Sequence, residues 1–376
     1  MNIIDKTLLA PYYVALKLRH FLYNRNIIKS YKSELKTICI GNITVGGTGK
    51  TPHTELLLRL LKDARPNLRL AVLSRGYKRK TSGFQQVSAD GSVKSFGDEP
   101  LQIKRKFPDV TVVVDSSRKR ALEYLKDNNK LKESKKVKKC LYPDFSPVDL
   151  VILDDAFQHR EVRTDVSIVL MDYSNPINKD HLLPIGRLRD LPSRAECADV
   201  LIFTKCPHYL DEWEKGKLAQ SMGLKNYDVS TGWGINSKGQ KQGVYFTAIN
   251  YIKPIGIFDD ADARYIYSKR LILFTGIANA SPLVNYLCDS YDIVENLEFP
   301  DHHNYSFYNI KKILSCAKQF PTAVIVTTEK DAQRIKDFKS KIPLEFQKRM
   351  FQVPIEVDFI NPETERESFV NWCSSI

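Results

Sequence analysis

Residues 37 to 51 read Thr-Ile-Cys-Ile-Gly-Asn-Ile-Thr-Val-Gly-Gly-Thr-Gly-Lys-Thr, an apolar strand that runs directly into a glycine-rich loop. Because glycine has no Cβ, successive backbone N–H groups of such a loop can point into one concavity and bind phosphate. The Lys50 ammonium can reach the β- and γ-phosphates, and the Thr51 hydroxyl can hold Mg²⁺. A helix expected from about Thr51 and Pro52 adds the positive end of its dipole. The stretch predicts a site for a nucleoside triphosphate.

The loop departs from the most common phosphate-binding pattern. That pattern, G-x-x-x-x-G-K-[ST], has glycine five positions before Gly49, where this chain has Thr44. Residues 45–51 are closer to the variant K-G-G-x-G-K-[ST] of ATPases that act at membranes, with Val45 in place of the first lysine. The loop by itself therefore also fits a membrane-surface partitioning or targeting ATPase.

Short apolar runs rich in β-branched residues recur along the chain and predict strands. They cover residues 37–43, 70–74, 110–115, 150–153, 166–171, 200–204, 271–274 and 323–327. Such runs are typical of strands buried on both faces, in a mostly parallel sheet sandwiched by helices. We therefore expect an α/β fold of the P-loop NTPase type, with a second, smaller α/β domain.

A change of pattern between residues 231 and 256 divides the chain. This segment is rich in Gly, Asn and Tyr and has no helical period, which favours a β-stranded hinge between domains. The expected parts are an N-terminal amphipathic helix region (1–35), a core domain (36–235), the hinge (236–260) and a smaller domain (261–376) whose tail can return to the hinge. Ligands often bind in the cleft between two domains.

The composition is that of a globular protein with excess positive charge. Of the 376 residues, 43% are hydrophobic, and the formal net charge is +13. This charge favours an anionic partner, such as acidic phospholipid, a phosphorylated substrate or nucleic acid, and does not choose among them. The seven cysteines include no C-x-x-C pair, which argues against a disulfide framework or zinc site and favours a cytosolic protein.

The N-terminal segment predicts a helix at a membrane surface or against the protein's own core. Its apolar run, residues 8–16, is shorter than the about 20 residues that span a bilayer, and no signal-peptide cleavage site follows it. The apolar side chains include Tyr12, Leu16 and Tyr23. The candidates for contact with phospholipid head groups are Lys17, Arg19, Arg25, Lys29 and Lys32. Both locations stay open.

Two pairs of adjacent carboxylates are candidates for the chemistry. Asp154 and Asp155 end an apolar strand, and in a doubly wound sheet that end lies at the same edge as the phosphate loop, where either can bind Mg²⁺. Asp98 and Glu99 lie in the segment Gly-Asp-Glu-Pro at 97–100, which predicts a turn. One of the two could orient or deprotonate an attacking hydroxyl while the other helps to hold metal.

The segment Phe-Pro-Asp-His-His-Asn-Tyr at 299–305 places two of the chain's seven histidines beside an aspartate. A zinc site is not expected, because Cys or suitably spaced His partners are missing from the pattern. A histidine that pairs with a carboxylate across the domain cleft fits better.

These motifs agree with one family: over nearly its whole length the chain resembles the tetraacyldisaccharide 4′-kinases, the lipid A 4′-kinases of Gram-negative bacteria. The shared motifs are GNITVGGTGKTP (41–52), SRGY (74–77), GDEP (97–100), DDAFQH (154–159), LPIGRLR (183–189), TGIAN (275–279), FPDHH (299–303) and TEKDA (328–332).

The resemblance implies an ATP- and Mg²⁺-dependent enzyme that phosphorylates the 4′-hydroxyl of a tetraacylated glucosamine disaccharide 1-phosphate in lipid A biosynthesis. It implies two α/β/α domains joined by a two-stranded hinge. It also implies an N-terminal helix in the interface of an anionic membrane, so that the protein is peripheral on the cytoplasmic face of the bacterial inner membrane. We further expect a monomer and no nucleic-acid partner.

The resemblance also assigns roles to residues. Asp98 becomes the base, supported by His302 with His303 as the alternative, and Lys50 contacts the transferring phosphoryl group. The nucleotide-binding residues implied are Gly46, Gly47, Thr48, Gly49, Lys50, Thr51 and Arg118. The metal ligands implied are Thr51, Glu99, Asp154 and Asp155, and which aspartate of the last two contacts metal directly stays open.

Three other classes fit parts of the sequence less well. A partitioning ATPase usually carries the lysine that Val45 replaces, and it has no need for Asp98, Glu99 or the Asp-His-His stretch. A GTPase needs an N-K-x-D element, and the nearest segment, Thr-Lys-Cys-Pro at 204–207, lacks the aspartate. A nucleic-acid-binding ATPase explains only the net charge. The lipid kinase is therefore the expected function, and the partitioning ATPase is the alternative.

Overall fold

The computed structural model describes residues 9–135, 139–361 and 363–376, and the strands in these ranges form two main sheets. In the larger sheet the strands lie side by side in the order β10 (Lys225–Asp228), β11 (Trp233–Ile235), β12 (Lys241–Tyr251), β9 (Val200–Thr204), β8 (Val166–Asp172), β2 (Lys36–Asn42), β6 (Leu150–Asp154), β3 (Leu70–Ser74), β5 (Thr111–Val114) and β4 (Gln85–Gln86). The strands from β12 to β5 in this order are parallel, which confirms the expected α/β fold.

The second, smaller sheet is also mostly parallel. Its order is β13 (Ile255–Gly256), β17 (Met350–Val353), β16 (Val324–Thr328), β14 (Arg270–Thr275) and β15 (Asp292–Glu298). A short separate pair is formed by β1 (Tyr31–Lys32) and β7 (Val162–Arg163), and β18 (Ile355–Phe359) pairs with β12.

Helices alternate with these strands along the chain. They are α1 (Ala10–Asn24), α2 (Lys50–Ala64), α3 (Val93–Phe96), α4 (Asp98–Lys106), α5 (Arg118–Lys126), α6 (Asn128–Lys132), α7 (Glu212–Ser221), α8 (Ser281–Cys288), α9 (Phe307–Gln319), α10 (Glu329–Lys336), α11 (Leu344–Gln347) and α12 (Thr364–Ser374), with 3₁₀ turns at Pro192–Cys197, Ala263–Tyr267 and Lys339–Lys341.

Both faces of the larger sheet are covered, because successive side chains of a strand point to opposite faces and are apolar on both. In β8, Ile168 and Leu170 belong to the core beneath α2 and α12, whereas Val169 and Met171 belong to the core beneath α1, α5 and α7. The smaller sheet is built in the same way, with α9 and α10 on one face and α8 on the other.

Two neighbouring strands connect the sheets. The first part of β12, from Gly243 to Phe246, pairs with β9 in the larger sheet, and the second part, from Thr247 to Tyr251, pairs with β18. The chain enters the smaller sheet after Tyr251 and leaves it before Ile355. Helix α12 then packs against α2, with Phe369 in the same core as Leu57.

Helix α1 packs on the body of the protein and keeps an exposed apolar face. Leu16 is buried, and the Tyr12 hydroxyl donates to the Arg189 carbonyl oxygen at 3.0 Å, so of the two locations that the sequence left open these two side chains take the protein's own core. The outer face instead carries Val14, Leu18 and Phe21, which are 58%, 55% and 51% exposed. Residues 1–8 of the expected N-terminal region lie outside the described residues.

Candidate active site

The phosphate loop joins β2 to α2, and the space next to its first two glycines is not filled by other described residues. Gly46 and Gly49 have φ of 106° and 82°, a left-handed conformation that glycine adopts without strain. Apart from chain neighbours, no described heavy atom lies within 4 Å of the points where Cβ atoms of Gly46 and Gly47 would stand. Thr48 turns inward, and its Oγ1 accepts a hydrogen bond from Asn42 Nδ2 at 2.9 Å. This space at a helix N-terminus fits a phosphate chain.

The segment 187–189 holds the phosphate loop in place and adds positive charge beside it. The Val45 amide donates to the Arg187 carbonyl oxygen at 2.7 Å. The Arg189 guanidinium donates to Asn42 Oδ1 and lies 3.4 Å from Asp155 Oδ1, while Lys50 Nζ lies 3.9 Å from the same oxygen. Arg189 lies in the LPIGRLR motif, for which no role was predicted, and the structure places it beside Lys50.

His53 links the phosphate loop to the connecting strand β12, a contact that the sequence did not indicate. Its Nδ1 lies 2.7 Å from the Gly49 carbonyl oxygen and its Nε2 lies 2.9 Å from Thr247 Oγ1. Because a carbonyl oxygen only accepts, Nδ1 carries the proton and Nε2 is left as an acceptor, while the Thr247 hydroxyl lies within hydrogen-bond distance of both Nε2 and the Phe203 carbonyl oxygen. Burial lowers the pKa of His53 to about 4, so the ring is neutral at pH 7.

Asp154 and Asp155 stand at the end of β6, next to the loop strand. Burial and the charge of Asp155 raise the pKa of Asp154 to about 6. Asp154 Oδ1 is buried and has no hydrogen-bond partner among the described residues. Such an oxygen is unfavourable unless a cation or donor occupies its free side. Thr51 lies in the first turn of α2. Its hydroxyl and the two aspartate carboxylates together form a set of oxygen donors that fits Mg²⁺.

Arg118 lies behind this pair of aspartates. It is buried, and its guanidinium donates to the main-chain oxygens of Asp154 at 3.2 Å and Asp155 at 2.7 Å. Asp155 has φ of 46°, a left-handed conformation that is uncommon outside glycine. The structure therefore places Arg118, an expected nucleotide ligand, where it holds the strand end that carries the carboxylates.

The segment Gly-Asp-Glu-Pro at 97–100 begins a helix, so the prediction of a turn at this place is wrong. Gly97 has φ of 91° and precedes α4, whose first two residues are Asp98 and Glu99. Carboxylates in the first turn interact favourably with the helix dipole, and Pro100 needs no hydrogen-bond partner there. The two carboxylates stay together: Asp98, Glu99 and His302 bring ligand atoms within 4.8 Å of one another.

Asp98 is held by side chains of the smaller sheet. Arg334 donates to Asp98 Oδ2, and His302 Nδ1 and Lys330 Nζ lie 3.8 Å and 3.9 Å from the same oxygen. Burial opposes the charge of Asp98, but the neighbouring His302 and Glu99 and the charges of Lys330 and Arg334 hold its pKa well below the usual range. Burial and Asp98 raise the pKa of Glu99, whose Oε1 lies 2.7 Å from Lys330 Nζ.

The structure distinguishes the two adjacent histidines by their contacts. His302 has φ of 56°, and its ring meets the Tyr77 ring at 5.8 Å on the Asp98 side. His303 stacks on Phe299 at 4.8 Å and lies 3.2 Å from Asn309 Oδ1, within its own half of the protein. Only His302 of the pair reaches Asp98.

The segment 74–77 links the two groups of site residues. Leu73 pairs with Leu153 in the sheet, so Ser74 lies beside Asp154, and its side chain stabilises that carboxylate. At the other end Tyr77 contacts His302, and a Cβ on Gly97 would lie 3.3 Å from the Tyr77 carbonyl oxygen. Asp154 and the Asp98 cluster thus lie at the two ends of one four-residue segment.

The expected metal ligands are divided between these two groups. Glu99 lies with Asp98 and His302, and the described residues bring no third carboxylate to Asp154 and Asp155 within ligand-sharing distance. Lys330 lies in the TEKDA motif but was not predicted to act at the site, and Arg334 lies outside the shared motifs. Their spacing of four residues puts both on one face of α10, which is the signal that could have identified them.

Known proteins match this chain along nearly its whole length. The model of the family described as LpxK, tetraacyldisaccharide-1-P 4′-kinase, matches residues 6–373. A tetraacyldisaccharide 4′-kinase of Parabacteroides distasonis is 37% identical over 355 residues, which cover 93% of this chain and 88% of the relative. One of Flavobacterium johnsoniae is 34% identical and covers 96% and 94% of the two chains.

The fold has also been seen in a crystal structure. LpxK from Aquifex aeolicus in complex with ATP superposes with a TM-score of 0.67 at 24% sequence identity, and the match covers 98% of each chain. That identity supports similarity of fold, while the family model and the relatives carry the assignment. On these matches the chain belongs to the tetraacyldisaccharide-1-P 4′-kinase family.

Proposed function

We propose that the protein transfers the γ-phosphoryl group of ATP to the 4′-hydroxyl of tetraacyldisaccharide 1-phosphate, a step of lipid A biosynthesis. The observation that carries the proposal is the segment 74–77, which starts beside Asp154 at the phosphate loop and ends against His302 in the Asp98 cluster. This proximity of the phosphate loop to a buried carboxylate supports the proposal. The Aquifex aeolicus protein of the same fold was solved with ATP.

The phosphate loop would bind the triphosphate through its backbone amides and Lys50. Lys50 and Arg189 place two positive charges beside Asp155, where they would stabilise the charge that develops on the phosphoryl group. Mg²⁺ held by Thr51 and one or both of Asp154 and Asp155 would neutralise the phosphate oxygens when bound. Arg118 supports this arrangement by fixing the end of β6.

Asp98 would orient the acceptor hydroxyl and take its proton. A carboxylate with a lowered pKa is a weak base, but a loose phosphoryl-transfer transition state depends mainly on positioning and charge, and the proton leaves late. His302 Nδ1 lies 3.8 Å from Asp98 Oδ2, so a small approach of the two side chains would bring it within reach of the proton. We propose that the two sheets act as domains, with 36–235 as the core, 236–260 as the hinge and 261–376 as the smaller domain.

The acylated acceptor requires access to a lipid surface. No helix among the described residues is long and apolar enough to cross a bilayer. Helix α1 instead offers Val14, Leu18 and Phe21 on one exposed face, in a chain with a net charge of +13. Apolar burial and attraction to acidic head groups together would hold α1 in the interface of an anionic membrane. We propose a peripheral location on the cytoplasmic face of the bacterial inner membrane.

The direct test is transfer of label from [γ-³²P]ATP to purified tetraacyldisaccharide 1-phosphate, followed by thin-layer chromatography. The proposal predicts a labelled lipid product that depends on ATP, on Mg²⁺ and on the acceptor. ATP hydrolysis without lipid labelling, stimulated by membranes alone, would instead support the partitioning ATPase.

A further inference from the structure

Arg334 connects the smaller sheet to the proposed base of the larger one. It lies on α10, is 6% exposed, and donates through one nitrogen to Asp98 Oδ2. Its other terminal nitrogen donates to Asp331 Oδ1 at 3.0 Å. The guanidinium is therefore shared between a carboxylate of its own helix and a carboxylate on the opposite side of the cleft. Arginine suits this place, because its planar fork offers donors in fixed directions.

The orientation of Arg334 is fixed by a second layer of contacts. Asp331 is fully buried, and its Oδ2 accepts from the Gly276 amide at 2.9 Å and from the Thr328 hydroxyl at 2.7 Å. A Cβ on Gly276 would lie 2.9 Å from Asp331 Oδ1, so the close approach requires glycine. The Gly276 carbonyl oxygen in turn accepts from the His302 amide at 3.1 Å. The end of β14 thus anchors both Arg334 and His302.

Three nitrogen-bearing side chains approach Asp98 at one oxygen. Arg334, His302 and Lys330 all contact Oδ2. Lys330 is also engaged by Glu99 Oε1 at 2.7 Å, whereas Arg334 makes the closest approach of the three to Asp98. A carboxylate held at one oxygen has a fixed plane, and its second oxygen then points in a fixed direction.

We propose that Arg334 is a positioning residue for phosphoryl transfer: it holds Asp98 Oδ2 from the smaller sheet, so that Oδ1 is presented to the acceptor hydroxyl. The inference rests on the proposed function and adds to it a residue outside the recognised motifs. It also explains why the Asp98 carboxylate is oriented only when the two sheets are docked, because Arg334 and His302 both approach Asp98 from the side of the smaller sheet. A small displacement of a catalytic group can lower the rate about 10²-fold.

The test compares Arg334→Met, Arg334→Lys and Gln333→Ala in the full-length protein. Gln333 is the matched control, because its Oε1 accepts from Arg105 between the same two helices, α4 and α10, without touching Asp98. Arg334→Met should lower kcat about 10²-fold and change the KM for ATP less than threefold, as expected for lost positioning. Arg334→Lys should recover about tenfold of this loss, since it restores charge but not the fork. Gln333→Ala should stay within threefold of wild type.

A second comparison separates positioning from a general structural effect. In an Asp98→Asn background, Arg334→Met should lower kcat less than threefold further, because residues that act as a unit are not additive. A full 10²-fold loss in that background, or a kcat of Arg334→Met within threefold of wild type, would overturn the inference. Thermal unfolding checks the fold, and Arg334→Lys and Arg334→Gln replace the Met variant if it does not fold.

A crystal structure of Arg334→Met gives a readout that does not depend on the acceptor. The inference predicts that the Asp98 carboxylate rotates while the two sheets stay docked. An unchanged Asp98 would overturn it, even if the wild-type protein proved active on the lipid. Failure of the wild-type protein to label the lipid, with Asp98 rotated in the variant, would count against the proposed function alone.

Discussion

Lys50 is the residue that we expect to contact the transferring phosphoryl group. Its ammonium lies 3.9 Å from Asp155 and its side chain is mostly buried, so bulk water screens it little. Lys50→Ala should therefore lower kcat by about 10²-fold or more, as for other lost transition-state charges. The assay is single-turnover phosphorylation of the lipid.

A control for this variant lies on the same helix. Lys62, near the other end of α2, pairs with Asp109 on the surface at 2.6 Å. Lys62→Ala should leave the rate within about threefold of wild type, because an exposed ion pair contributes little. A folded Lys50→Ala enzyme that is as active as Lys62→Ala would refute the phosphate-binding role of the loop.

Asp154 gives a prediction about metal binding and pH. Its pKa of about 6 in the metal-free protein means that a proton occupies the carboxylate below that pH. A metal ion must displace this proton, so apparent affinity for Mn²⁺ should fall below about pH 6, by at most about tenfold per pH unit, and level off above it. Electron paramagnetic resonance of Mn²⁺ titrations between pH 5 and 8 measures this.

Asp155 provides the matched variant for that titration. Its charge contributes to the raised pKa of Asp154, so Asp155→Asn should move the midpoint to lower pH. An affinity that does not change between pH 5 and 8 in the wild-type protein would show that Asp154 is not a ligand.

At the residue scale, the sequence predicted the side chains that belong to local motifs. Asp98, Asp154 and His302 all stand in short patterns of unusual residues, which made them candidates. Arg334 and His53 were not, because each acts through partners far along the chain: Asp98 is 236 residues from Arg334, and Thr247 is 194 residues from His53. Only the packing of the folded chain shows these pairs.

Helix α1 has an inner and an outer face whose roles can be tested separately. Its inner face is fixed to the body by His20, which lies 2.5 Å from Asp190, and by buried Leu16. The outer face should bind lipid, so Leu18→Glu and Phe21→Glu should each weaken association with anionic liposomes by about tenfold or more, given the loss of a buried apolar side chain. Sedimentation with liposomes measures this association.

The control for α1 is a large exposed side chain elsewhere. Tyr267 is 87% exposed and precedes β14 in the smaller sheet. Tyr267→Glu should not change liposome binding, and high salt should weaken binding of the wild-type protein only in part, because apolar burial is not screened. If the two α1 variants bind as well as the wild-type protein, α1 does not contact the membrane.

At the element scale, strands were predicted better than helix starts. The apolar runs correspond to β2, β3, β5, β6, β8, β9, β14 and β16, because a strand buried on both faces is visible in one local stretch. The start of α4 at Asp98 was missed, since Gly and Pro flank it and both are frequent in turns. The pairing of β12 with β18 depends on residues more than 100 positions apart, which no local pattern shows.

The whole molecule divides the proposed chemistry between two sheets. The larger sheet carries the phosphate loop, the metal-side carboxylates and Asp98, and the smaller one carries His302, Lys330 and Arg334. Contacts across the cleft, such as Lys106 with Glu329 at 2.8 Å, hold the sheets together. The site therefore forms only when both sheets are in place, which a sequence read along its length does not reveal.

The most direct test of this account is a double-mutant cycle on Asp98 and His302, measured as the rate of lipid phosphorylation. Asp98→Ala and His302→Ala should each lower kcat strongly and leave the affinity for ATP nearly unchanged, because we expect both residues to act on the acceptor hydroxyl and not on ATP. The double variant should lose much less than the product of the two effects, as expected when two residues act as one unit. Strictly multiplicative losses, or a full effect of His303→Ala with none of His302→Ala, would contradict the account.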